Sequence, residues 1–219
     1  MKRLCSLLLF ILLLAGTACL PQPVQAAEKK LVAITYDDGP CENTERLLDG
    51  LKERGVKATF FMVGWKISSY EKTVARMYEE GHQAANHSFS HENLTAIPLE
   101  EVKKQVQDTN ALLDKICGPG TDYMVRPPYG HINEGAAQAV GLPCILWSQT
   151  PKDWIYTDAA SIKARILDSV KPGDIILVHD TVPGTVDGSL AAIDELQAQG
   201  YEFVTVRELF RRQGRTAEN

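Results

Sequence analysis

Cysteine is scarce in this chain, and no apolar run is long enough to cross a bilayer. Five cysteines occur among 219 residues, and no pair has the close spacing of a zinc knuckle. Cys5 and Cys19 fall in a leader-like N-terminus, leaving Cys41, Cys117 and Cys144. Three thiols allow one bridge with one over, which excludes a disulfide-stapled scaffold. A Cys117 to Cys144 bridge is permitted, as are three thiols packed as small apolar groups. There is also no basic stripe, no glycine-rich nucleotide loop, no internal repeat and no low-complexity tract. What remains is the composition of a globular protein, 44% hydrophobic and 23% charged, and an expectation of one domain over residues 27–219.

The longest apolar run, Leu7 to Ala15, follows Lys2 and Arg3 and precedes Val24-Gln25-Ala26, a small-residue cleavage site. This pattern predicts a secretory signal over residues 1–26. The mature protein would be secreted or held at a bacterial-type cell envelope. Lipid attachment at Cys19 is the rival, although Gly16 stands where such a signal normally has Leu. Without Lys2 and Arg3 the balance is 21 basic against 28 acidic residues, a net −7. That charge argues against a nucleic-acid partner. A monomer is expected.

Beyond the leader, short apolar runs alternate with amphipathic stretches. Strands are expected over Lys30 to Tyr36, Ala58 to Val63, Gln83 to Ala85, Tyr123 to Arg126, Cys144 to Trp147, Asp174 to Val178 and Glu202 to Val204. Helices are expected over Thr44 to Arg54, Tyr70 to Glu80, Leu99 to Ile116, Glu134 to Val140, Asp158 to Val170 and Ser189 to Gln199, several closed by glycine. Strand-helix repetition with nearly continuous apolar strands predicts an α/β fold, a (β/α) barrel of about seven parallel strands. Chemistry in such folds collects at the C-terminal strand ends.

Those ends carry Asp37-Asp38 in TYDDGP, His87 and His91 in NHSFSH, Arg126 before PPYG, Asp153-Trp154, and His179-Asp180. His87 and His91 are four apart, the spacing that stacks two imidazoles on one face of a helical turn. Ser88 stands where a zincin has Glu, so that reading fails. If Asp38 turns toward the imidazoles it completes an Asp-His-His set with open positions, the form of a catalytic metal site. Asp37 would then stay beside the metal's water as general base, with Arg126 offsetting its charge. Such a set suits Zn2+ first, with Co2+ or Fe2+ also compatible.

TYDDGP, HSFSH, RPPYG, Lys152-Asp153-Trp154 and ILVHD resemble, in order and approximate spacing, the five motifs of the polysaccharide deacetylase family, the NodB-homology carbohydrate esterases of family 4. The resemblance runs from about Leu31 to about Phe210. It implies a distorted (β/α) barrel, Asp37 as base, and Asp38, His87 and His91 as metal ligands. Arg126 would orient Asp37, the Tyr129 backbone N–H would hold the oxyanion, and Asp153 would orient His179, the general acid. Leu177 and Trp154, with Tyr129, would wall the substrate pocket. One place departs from the family pattern: Thr150 stands where an Asp is common, which puts a secondary substrate contact in doubt.

The implied activity is metal-dependent hydrolysis of N-acetyl groups on N-acetylglucosamine in a cell-wall polymer, peptidoglycan first. A chitin-like oligomer or acetylxylan is an alternative substrate. A catalytically silent glycan-binding module is the reading from another class.

Overall fold

The computed structural model describes residues 30–119, 121 and 123–215. The expected signal segment and Cys19 lie outside the described residues. Five strands and eight helices are defined among the described residues: β1 (Lys30–Asp37), α1 (Thr44–Glu53), β2 (Thr59–Met62), α2 (Gly64–Ile67), α3 (Glu71–Glu79), β3 (Gln83–Asn86), α4 (Leu99–Cys117), α5 (Glu134–Val140), α6 (Ala159–Ser169), β4 (Ile175–His179), α7 (Thr185–Ala198), β5 (Tyr201–Phe203) and α8 (Val206–Arg212). None of these helices is long and apolar enough to cross a membrane.

All ladders are parallel, in the order β3-β2-β1-β4, with β5 paired to the lower half of β1. The upper half of β1 pairs with β4, matching Thr35 to Leu177 and Asp37 to His179. The expected strands at Tyr123 to Arg126 and Cys144 to Trp147 are not regular strands. They reduce to single bridges, Asn86 to Val125 and Val125 to Cys144. Prolines explain this, because Pro127, Pro128 and Pro143 cannot donate to a ladder on either side of those bridges. A third bridge, Gln149 to Ile176, returns the same segment to β4 and closes the ring. The result is an irregular barrel of five strands and two bridge segments.

Strand alternation sorts side chains into two layers. Val32, Ile34, Tyr36, Phe60, Met62, Ile176 and Val178 face outward into the main core beneath the helices. Ala33, Phe61, Ala85 and Ile175 face inward, where they meet Met124, Ile145 and the α8 residues Val206, Leu209 and Phe210. Helix α8 thus plugs the N-terminal end of the barrel, tied there by Val206 N–H to the Thr59 hydroxyl at 3.0 Å. Each buried Leu, Ile or Phe contributes roughly 1.5–3 kcal/mol relative to exposure. With one end filled, the inward positions nearest the other end, Asp37 on β1 and Leu177 and His179 on β4, are left for chemistry.

Candidate active site

Consecutive strand residues face opposite ways, so Asp37 and Asp38 would diverge if β1 continued. The chain leaves the strand instead, with Asp38 at φ 69°. That left-handed backbone, costly without a compensating environment, turns the second carboxylate back beside the first. Five non-glycine residues among those described have positive φ: Asp38, Ser88, His91, Tyr129 and Lys152. All five belong to the loops around this rim.

The loop is held by Asp180. Its buried Oδ2 accepts from the Thr44 hydroxyl at 2.6 Å, and its carbonyl accepts from the Asn43 amide at 3.1 Å and the Cys41 thiol at 3.5 Å. Gly39 must be glycine here, since a Cβ would stand 2.6 Å from the Asp180 carboxylate. Burial pushes the Asp180 carboxyl up to about 6.

His87 and His91 do not sit on a helical turn, contrary to the spacing argument. They lie on a loop after β3, bent by Ser88 at φ 64° and His91 at φ 61°. Its N–H groups are satisfied by side chains: Ser88 N–H by the Asn86 amide oxygen, Phe89 and Ser90 N–H by Gln105 Oε1, and His91 N–H by the Ser88 hydroxyl. The rings meet edge to face, 4.9 Å between centroids.

His87 Nδ1 lies 2.6 Å from the Arg126 carbonyl. A carbonyl only accepts, so Nδ1 carries the proton and Nε2 presents its lone pair to the cleft. Nε2 of His87 stands 3.5 Å, and Nε2 of His91 3.2 Å, from Asp38 Oδ1. That oxygen is buried and accepts no hydrogen bond. Burial opposes charge on Asp38, but His91 and His87 outweigh it and hold the carboxyl at about 2. Burial lowers His87, which favours its neutral imidazole, the form able to ligate. A buried carboxylate oxygen facing both imidazole Nε2 atoms fits a cation, and ligand atoms of Asp38, His87 and His91 all lie within 4.8 Å of one another.

Asp37 is set apart from that trio. Its Oδ1 accepts from Arg126 Nη1 at 2.7 Å, while Oδ2 faces His87 Nε2 at 3.8 Å. Arg126 is completely buried, and burial lowers its pKa despite Asp37. Its remaining donors reach the Thr35 hydroxyl at 2.6 Å and the carbonyls of Ile145 and Leu146 at 3.2 and 3.0 Å. Its guanidinium stacks over the Phe61 ring at 4.0 Å. A buried pair of this kind costs desolvation and is weak evidence for stability. Its geometric consequence is that Asp37 has one aim.

Across the cleft, His179 Nδ1 lies 2.9 Å from Asp153 Oδ1, while Asp153 Oδ2 accepts from the His179 N–H and the Thr185 hydroxyl. Burial lowers the His179 pKa, but the Asp153 hydrogen bond and charge outweigh it and leave the group raised. Trp154 stands edge-on to His179 with centroids 5.5 Å apart, and Tyr129 edge-on to His91 at 4.8 Å. Together with Leu177 and Pro127 these residues line a cleft of about 370 Å³. All eight residues expected in the site on catalytic or metal-binding grounds therefore converge on one rim, with Trp154 and Leu177 as walls.

Sequence reasoning missed Trp147, which also lines this cleft and lies where a Cβ on Gly130 would collide at 2.9 Å. It also gave no role to Asp180, Thr35 or Thr185. Asp180 was detectable, as a carboxylate directly after the His179 strand end. Thr150 supplies no acid; its hydroxyl accepts from Lys152 N–H at 3.1 Å and shapes the turn that presents Asp153. Cys41, Cys117 and Cys144 are all free thiols.

The family model described as polysaccharide deacetylase matches residues 25–143, more than half of the chain. The chain belongs to the polysaccharide deacetylase family. Among its relatives, the peptidoglycan-N-acetylglucosamine deacetylase PgdA of Listeria monocytogenes is 38% identical over 200 residues, which cover 90% of this chain and 42% of that protein. The chain thus spans less than half the length of that relative. The structure of the peptidoglycan deacetylase PdaC from Bacillus subtilis superposes with a TM-score of 0.82 at 36% identity, covering 85% of this chain and 92% of the other. A family 4 acetyl xylan esterase from Clostridium thermocellum, solved with a cobalt ion, gives 0.81 at 36% identity over 86% and 94%. In this deacetylase-family chain the parallel α/β architecture is therefore that of family 4 carbohydrate esterases.

Proposed function

We propose that the protein is a metal-dependent N-deacetylase of a cell-wall glycan, with peptidoglycan as its first-choice substrate. The observation that carries this reading is the buried Asp38 Oδ1 facing two imidazole Nε2 atoms, beside a second carboxylate that Arg126 has already oriented.

Asp38, His87 and His91 would hold a divalent cation, Zn2+ by preference, with Co2+ or Fe2+ suited to the same donors. When bound, the cation polarises the acetyl carbonyl and lowers the pKa of a bound water toward ~7. Asp37 takes the proton of the attacking water through Oδ2, the oxygen Arg126 leaves uncovered. Such general-base assistance is worth about 10²- to 10⁴-fold. The Tyr129 backbone N–H donates to the developing oxyanion, worth ~3 kcal/mol by comparison with other oxyanion donors. An amine leaves poorly unless protonated, and His179, whose proton Asp153 favours, supplies it from Nε2. Leu177 and Trp154 exclude water around the acetyl methyl.

The substrate class is supported by two of the relatives, PgdA and PdaC, which are peptidoglycan deacetylases. Likeness to an acetyl xylan esterase favours one alternative, O-deacetylation of xylan, because base, acid and cation serve ester and amide alike. Residues 1–26 are proposed as an export signal, placing the protein outside the cytoplasm or at the cell envelope, as a glycan substrate requires. Acetate release from peptidoglycan, chitin oligomers and acetylxylan is the test, with the full chain stripped of metal and then resupplied with zinc. Zinc-restored release, highest on peptidoglycan, is expected. No release from any substrate with zinc present would leave a glycan-binding protein.

A further inference from the structure

The two imidazoles of the candidate metal site are held by different means. His87 is oriented through its own ring, because Nδ1 donates to the Arg126 carbonyl at 2.6 Å, the arrangement usual for a histidine that offers its other nitrogen to a metal. His91 has no such bond. Among the described residues nothing hydrogen-bonds its Nδ1, its side chain is 26% exposed, and it meets the rings of His87 and Tyr129 only edge to face. The aim of the His91 ring therefore follows from the backbone that carries it.

That backbone is shaped from outside the cleft. The N–H groups of Ser88, Phe89, Ser90 and His91 all donate to side chains, and two of the four, those of Phe89 and Ser90, converge on Gln105 Oε1 at 2.9 and 2.8 Å. A backbone N–H can only donate, so the shared atom is the amide oxygen, and Gln105 Nε2 is left to donate to the Ser90 hydroxyl at 2.8 Å and to Glu101 Oε1 at 3.3 Å. Gln105 is buried on α4. From the opposite side, the Ser88 and Phe89 carbonyls accept from the N–H groups of Gly64 and Trp65 on α2, at 2.9 and 3.1 Å. The loop is thus clamped between α2 and α4, and most of the α4 grip is one side-chain amide. Without that oxygen two N–H groups lose their acceptor, and the left-handed turns at Ser88 and His91, φ 64° and 61°, lose the contacts that offset their cost. We propose that Gln105 is a positioning residue for the metal site. Its amide oxygen fixes the turn that aims His91 at Asp38, in place of the ring hydrogen bond that His91 lacks. The proposal rests on the metal-dependent reading above and adds to it a residue, outside the cleft, that sets how tightly the cation is gripped.

The test is zinc affinity of the metal-stripped full chain, with the absorption spectrum of the cobalt-loaded chain as a second readout. Gln105→Met removes the acceptor at similar size; it should weaken zinc binding about 10- to 100-fold and alter the cobalt bands. Gln105→Glu keeps an oxygen for both N–H groups and should restore most of the affinity together with the parent spectrum. Should Gln105→Met fail to fold, Gln105→Asn, one methylene shorter, carries the same expectation. Leu113→Ala opens a cavity elsewhere on the same helix, where Leu113 is buried, and should lower the unfolding temperature without moving zinc affinity or spectrum. Unchanged affinity and spectrum in folded Gln105→Met or Gln105→Asn would overturn the positioning role, as would an equal loss of affinity in Leu113→Ala. Weakened zinc binding in Gln105→Met, beside a zinc-loaded parent that releases no acetate from any substrate, would sustain the positioning role and remove the deacetylase reading instead.

Discussion

The two ends of the barrel carry hollows of opposite character. At the N-terminal end, Lys30, Gly55, Gly81, Gly200, Tyr201, Glu208 and Arg212 contribute to a depression of about 880 Å³, more than twice the volume of the cleft at the other end. Its turns bend at Gly55, Gly81 and Gly200, where positive φ carries no side-chain penalty. Its charges pair on the surface, as Arg212 does with Glu202 and Glu208. The smaller cleft bends at Asp38, Ser88, His91, Tyr129 and Lys152, and it buries Asp37, His87, Arg126 and Asp153. One end is built at low conformational cost and holds no buried ionisable group in its lining; the other accepts strain and desolvation. Volume alone would choose the wrong end. Strain and buried charge mark where the chain gives up stability for chemistry.

That contrast breaks if polar residues at the small cleft prove dispensable. Asp37→Asn keeps size and hydrogen bonding to Arg126 while removing the base. Acetate release should fall about 10²- to 10⁴-fold, with zinc stoichiometry unchanged, measured by acetate assay and metal analysis on one preparation. Activity within a few-fold of the parent would show that Asp37 is an ordinary buried ion-pair partner.

Asp153→Asn gives the next largest effect, and it has a sign. In the proposed mechanism His179 must hold its proton to act, and Asp153 raises its pKa in the folded protein. Rate should therefore fall as pH rises through that raised value, and removing the Asp153 charge should move the alkaline limb to lower pH. The same linkage acts on stability: the contribution of protonated His179 is fully present below its unfolded pKa of about 6.5 and is lost as pH rises through the folded one. A limb that stays in place in the pH–rate profile of Asp153→Asn would remove the pairing from the mechanism.

The smallest effect belongs to the other end. Arg212→Ala breaks exposed ion pairs to Glu202 and Glu208, which should cost at most about 1 kcal/mol in denaturant unfolding and leave acetate release unaltered. A large loss of activity there would contradict the division of labour between the two ends.

How far these features were readable in the residues differs by element. Strands β1, β2 and β4 were legible to within a residue or two because they are largely apolar runs, and the short β3 and β5 because Gly81 and Gly200 punctuate the chain just before them. The two bridge segments were not, since an apolar run beside prolines has the composition of a strand without the donors to extend a ladder. Helix α7 starts at Thr185, four residues earlier than periodicity suggested. Gly188, in the first turn, is the point where α7 packs on α6, with a Cβ meeting the Ala159 carbonyl at 2.7 Å. Helix α8 left a signal that was overlooked: Thr205 and Glu208 have capping-box spacing, and the Thr205 hydroxyl accepts from Glu208 N–H at 3.2 Å.

The candidate site was legible as a list of residues, since Asp37 and His179 end strands and the others follow a strand or a bridge segment. Its geometry was not. The four-residue spacing of His87 and His91 suggested a helix, whereas left-handed backbone at Ser88 and His91 brings the rings together, and no periodicity encodes that. Trp147 escaped notice because its motif context is a strand end rather than a charge.

Calorimetric titration of the metal-stripped full chain with zinc tests the central claim most directly. One tight site per chain is expected, abolished by Asp38→Ala and by His91→Ala and retained in Asp37→Asn. Undiminished zinc binding in folded Asp38→Ala would mean that the ion is gripped elsewhere, and the assignment of the two neighbouring aspartates to different tasks would fall.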